Sequence, residues 1–182
     1  LYRRAFFSCT AARYERLRRA ARPISLMMFD LDKFKRINDT FGHAMGDEIL
    51  RLFSTTLRNS MRADDIVARL GGEEIAAVVP GDEETTLRIA ERVRANFQKA
   101  GAFVGDIEVN STVSIGVAAT ADASETIEAL MARADAALYR AKSGGRNRVC
   151  AAAPDEAAHG AGETPAAAAP PLVPDVAVYG HA

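Results

Sequence analysis

The sequence has no tryptophan, only two cysteines and only three histidines, in 182 residues. Cys9 and Cys150 stand far apart with no CxxC spacing and no histidine at ligand distance, which excludes a disulfide framework and makes a zinc site a poor fit. His43 lacks a partner histidine and reads as structural. No apolar run approaches the roughly 18 residues of a membrane span, and no signal peptide is visible. Net charge is −1, so no global basic field points to DNA or RNA. A reducing, cytoplasmic setting fits these absences. The chain begins with Leu rather than Met, which reads as a fragment, so a membrane tether through a preceding part stays open.

What is present is enough apolar content for one ordinary core. Residues 2–22 read as a helix, with Phe6, Phe7, Tyr14 and Leu17 on one side and Arg13, Arg16, Arg18, Arg19 and Arg22 mostly on the other. Pro23 breaks it. Ile24–Phe29 is a continuous apolar run, expected to be a buried central strand, and it ends in Asp30-Leu31-Asp32. Acids at the end of a buried strand suit Mg²⁺. Asp30 is the candidate; Asp32, before Lys33-Phe34-Lys35, reads as the N-cap of the next helix.

Asn38 to Asp47 is rich in Asn, Asp and Gly and reads as a loop. A helix should follow from about Asp47 to Met61, with Ile49, Leu50, Phe53 and Leu57 inward and Asp47 complementing the helix dipole. The apolar runs Ile66–Leu70 and Ile75–Val79 flank Gly71-Gly72, a two-residue hairpin turn that places Glu73 and Glu74 at the mouth of the second strand. Further helices are expected at Thr85–Lys99 and Ser124–Ser143, a long alternating strand at Ile107–Ala118, and a short one at Arg148–Cys150. The expected fold is α/β of the α+β kind: a central, mostly antiparallel sheet flanked by helices, with acids gathered at one edge. The foldable domain should span 1–150. Residues 151–182 are dominated by Ala, Pro and Gly, a composition expected to be disordered.

Several blocks in order carry a resemblance: Phe29-Asp-Leu-Asp-Lys-Phe-Lys35, Asn38-Asp-Thr-Phe-Gly-His43, Gly46-Asp47, Arg69-Leu-Gly-Gly-Glu-Glu74, Val113-Ser-Ile-Gly116, Ala134 to Lys142 and Gly145-Arg-Asn147. Together they resemble the GGDEF domain family of diguanylate cyclases, whose fold is similar to the palm of nucleotidyl cyclases and polymerases. The resemblance implies condensation of two GTP molecules into cyclic di-GMP and two pyrophosphates by a homodimer, each domain binding one GTP. It implies Mg²⁺ (or Mn²⁺) on Asp30, the Leu31 main chain and Glu73, with Glu74 a further ligand or proton acceptor. Asn38 and Asp47 match the guanine-reading pair. Lys142 and Arg146 match the triphosphate contacts, with Lys35, Gly71 and Gly72 assisting. Arg62-x-x-Asp65 matches the inhibitory product site, with Arg92 as a second arginine. An upstream sensory or regulatory domain is implied as well. Ile75 replaces the usual Phe at an apolar, core-like position, where only modest repacking is expected. The alternative is a catalytically silent member that senses GTP or cyclic di-GMP.

Overall fold

The computed structural model describes residues 10–11, 14–20, 22–63, 65–122 and 124–153. The expectations for Phe6, Phe7, Arg13 and the tail beyond Ala153 lie outside these. The elements are β1 (Ile24–Leu31), α1 (Phe34–Phe41), α2 (His43–Ser60), β2 (Ile66–Gly71), β3 (Glu74–Pro80), α3 (Glu83–Ala100), β4 (Phe103–Val104), β5 (Ile107–Glu108), β6 (Val113–Thr120), α4 (Ile127–Ser143) and β7 (Val149–Ala151). Residues 14–19 are helical as well. The main sheet has five strands in the order β2-β3-β1-β6-β7. All its pairings are antiparallel except β6 with β7. The fold is therefore mixed α/β with a central sheet flanked by helices.

β1 is buried at all eight positions, because it is central and covered on both faces. Its odd residues Met27, Phe29 and Leu31 join Ile75, Ala77 and Ile115 beneath α1, α2 and α3, where Phe53 stacks edge-on with Phe97 at 4.9 Å. Its even residues Leu26 and Met28 join Ala76 and Val78 beneath α4 and the helical residues 14–19, through Leu130, Met131, Leu138, Tyr14 and Leu17. Ile75 is 3% exposed, in register with Phe29. Among the described residues no helix is long and apolar enough to cross a membrane.

Four expectations change. The segment 38–47 is helical on both sides of one break, Gly42, whose φ of 83° ends α1 and opens α2. Asp47 therefore sits beyond the first turn of α2 and does not serve its dipole. The alternating run 107–118 is two elements, because Asn110 turns the chain with φ 55°; β5 pairs with β4 instead of continuing into β6. The hairpin turn is Gly72-Glu73, since Gly71 already pairs with Glu74.

Candidate active site

The site begins where β1 runs out. Antiparallel register sets Asp30 directly opposite Glu74 on one side and Ser114 on the other, and opposed residues project to the same face. Glu73 stands in the adjoining turn. α4 crosses that face and delivers Lys142, whose Nζ lies 2.7 Å from Asp30 Oδ2. Burial pushes the Asp30 carboxyl up to about 6; the Lys142 ammonium pulls it down, and the charges of Glu73 and Glu74 add to the rise. The carboxylates of two distant pieces of chain thus share one electrostatic neighbourhood.

Gly116 explains how α4 reaches so far down. A Cβ there would meet the Ala134 carbonyl at 2.1 Å and the Leu138 nitrogen at 2.3 Å, so only glycine lets the helix lie this close to β6. Gly46 performs a similar service at the α1–α2 break. A Cβ on it would meet Asn38 Oδ1 at 1.9 Å, so Asn38 rests against the first turn of α2, one residue from Asp47. Lys35 is exposed on the first turn of α1, after Lys33 reverses the chain with φ 56°. Arg146 follows α4 in a turn with φ 65°.

Asp32 is not an N-cap. Lys33 occupies that position without a side-chain cap. The Asp32 carboxylate, 5% exposed, instead accepts from Thr112 Oγ1 at 2.7 Å, Ser114 Oγ at 2.6 Å and the Asn147 N–H at 3.0 Å. The left-handed Lys33 is the reason: it starts the helix turned away from the carboxylate. Strand alternation, which puts Asp32 on the face of Asp30, was the available signal.

Elsewhere, Asp65 closes a tight turn by accepting the Arg62 N–H at 2.7 Å. Arg62 and Asp65 line a cavity of about 400 Å³ together with Arg16, Arg22 and Pro80. Arg92 is not part of that lining; it donates to the Ser60 carbonyl at the end of α2, at 2.9 Å, two residues from Arg62. The contribution of Arg16 and Arg22 was hidden in an arginine run that reads as a solvated helix face.

The family model for "Diguanylate cyclase, GGDEF domain" matches residues 2–148. The chain belongs to the GGDEF family. The response regulator PleD of Caulobacter vibrioides is 47% identical over 130 residues, which are 70% of this chain and 29% of that protein. Diguanylate cyclase DgcM of Escherichia coli is 41% identical over 153 residues, 84% of this chain and 36% of that protein. The chain thus spans about a third of the length of these GGDEF relatives. Among solved structures, the active GGEEF domain of a diguanylate cyclase from Vibrio cholerae superposes with a TM-score of 0.76 at 32% identity, covering 84% of this chain and 97% of that one. The GGDEF domain of DgcB from Caulobacter crescentus, in complex with c-di-GMP, gives 0.75 at 33%, covering 82% and 89%.

The donor chemistry at Asp30 fits a hard divalent cation. The implied set is the Asp30 and Glu73 carboxylates plus the Leu31 main-chain carbonyl, all oxygen. Among the described residues no three acid, histidine or cysteine side chains gather to hold an ion by themselves. A carboxyl raised by burial, with a further rise from two neighbouring acids, gains from any cation brought beside it.

Proposed function

We propose that this domain joins two GTP molecules into cyclic di-GMP and releases two pyrophosphates. The observation that carries the reading is the register that sets Asp30 opposite Glu74 at a buried strand end, with Glu73 in the adjoining turn and Lys142 on Asp30. Asp47, beside Asn38, would accept from the guanine N1–H and amino group. Adenine presents neither at that edge, and a polar partner left unmatched costs about 1–3 kcal/mol. Lys142 and Arg146, helped by Lys35 and by Gly71 and Gly72 at the hairpin turn, would hold the triphosphate. Asp30, Glu73 and the Leu31 carbonyl would hold Mg²⁺ (or Mn²⁺). When bound, that ion supplies neutralisation of phosphate charge and a lower proton affinity at the 3′-hydroxyl.

Glu74 would receive the 3′-hydroxyl proton. The O3′–Pα bond then forms as the Pα–O–Pβ bond breaks in line opposite it, and pyrophosphate leaves with the electron pair. One domain holds one GTP, so the second comes on a partner copy in a homodimer. Cyclic di-GMP would return to the cavity at Arg62 and Asp65, near Arg92, as an inhibitor. An upstream regulatory segment would set how often two domains meet, in the cytoplasm where GTP is held.

The test is incubation of a forced dimer with GTP and Mg²⁺, followed by chromatography. Cyclic di-GMP should form from GTP and not from ATP, and Glu73→Gln should abolish turnover with the fold intact. A wild-type dimer that binds GTP or cyclic di-GMP yet yields no product would establish the silent sensor instead. Arg62→Ala should weaken cyclic di-GMP binding; unchanged affinity would remove the inhibitory assignment.

A further inference from the structure

The turn after α4 is the most constrained backbone beside the site. Gly145, Arg146 and Asn147 have φ of 117°, 65° and 46° in succession. Residues with a Cβ seldom take these values, and a turn of this kind persists only where its surroundings over-determine it. Two attachments do so. On one side the Asn147 N–H donates to Asp32 Oδ2 at 3.0 Å. On the other, Arg94 Nη1 of α3 donates to Asn147 Oδ1 at 2.8 Å, while the same guanidinium is paired with Glu91 at 2.6 Å.

Asp32 is itself fixed. Its N–H donates to the Thr112 carbonyl at 2.9 Å, and its carboxylate takes the Thr112 and Ser114 hydroxyls at 2.7 and 2.6 Å. Burying a carboxylate is costly unless its lone pairs are matched. A carboxylate is also the side chain that can accept from all of these donors at once. Asp32 lies two residues from Asp30, so the same strand end holds one acid toward the reaction centre and one toward the turn.

We propose that Asp32 and Asn147 are positioning residues, which lock the turn presenting Arg146 to the triphosphate and tie it to the strand end that carries Asp30. The proposal rests on the reading of Arg146 as a phosphate contact. The probe is 3′-deoxy-GTP with Mg²⁺, which lacks the attacking hydroxyl and cannot condense; its affinity is read by calorimetry. Arg146→Ala should weaken binding about tenfold, the size of one charge-assisted hydrogen bond. Asp32→Ala should weaken it comparably, and the double variant should bind no worse than Arg146→Ala alone. A residue that merely supports the fold would give losses that add, and additivity with a real Arg146 effect overturns the positioning role while leaving the phosphate reading intact. No effect of Arg146→Ala overturns both. Should Asp32→Ala fail to fold, Asn147→Ala carries the same cycle: it opposes the left-handed φ and drops the Arg94 contact, and the same two outcomes decide. Asn147→Gly, which keeps the φ, should recover most of the affinity.

Discussion

At Asp30 burial, Glu73 and Glu74 all disfavour the charged carboxyl and Lys142 favours it, leaving the group at about 6. The raised value means the folded state binds more protons than the unfolded chain between about pH 4 and 6, so stability falls as pH rises through that window. At pH 7 the cost is fully present. A two-unit shift converts to about 3 kcal/mol at most. Asp30→Asn should therefore stabilise the metal-free domain by about 1–3 kcal/mol at pH 7 while ending turnover. The gain should shrink to near nothing at pH 4, as read by urea unfolding at several pH values. A variant no more stable than its parent at pH 7 would show that the charge at Asp30 carries no such penalty. The place of Asp30 was legible because it closes a long apolar run, which reads as a buried strand. That of Asp32 was not. An acid before a helix looks like a cap, and its real donors, Thr112 and Ser114, are about 80 residues away in sequence.

Two glycines decide how the elements approach one another. Gly116→Ala would drive a methyl into the backbone of α4, and overpacking against backbone has no cheap relief. The expected loss is about 3 kcal/mol or more, measured as a lowered denaturation midpoint, with Lys142 drawn off Asp30 as α4 lifts. An unchanged midpoint would mean α4 can slide without cost. Gly46→Ala differs in kind, since its clash is with the Asn38 side chain and alanine is the better helix former by up to about 1 kcal/mol. Stability should hold, while preference for GTP over ATP should drop about tenfold, roughly one hydrogen bond. Equal discrimination in the variant would detach Asn38 from base reading. The central strand and long helices were readable because burial marks the sequence: an unbroken apolar run where all eight positions of β1 are buried, and a helical period in Ile49, Phe53 and Leu57 along α2. The segment 38–47 was misread because one glycine break amid polar helical residues has the composition of a loop. The run 107–118 was misread because its alternation continues past Asn110, where only the backbone angle reveals the turn.

Across the whole molecule, the described N-terminal residues are seated on the α4 face, with Tyr14 Oη donating to the Glu125 carbonyl at 2.9 Å, and their Arg16 and Arg22 share a cavity with Arg62 and Asp65. A dianionic product bound there would touch both the incoming chain and the turn between α2 and β2, away from the carboxylates at the end of β1. On the proposed reading, the acids at the end of central β1 serve a single nucleotide, so turnover would need two domains face to face. While the dimer is a minor species, its population grows as the square of the protein concentration. The initial rate of this domain at saturating GTP should therefore rise quadratically with protein, and an N-terminal fusion to a parallel coiled coil should make the dependence linear and the rate per chain higher. Glu73→Gln in both halves of the fusion should be silent. Were the unfused domain to show a strictly linear dependence down to concentrations where sedimentation finds only monomer, one chain would be completing the reaction alone, and the second GTP would have to be sought within it.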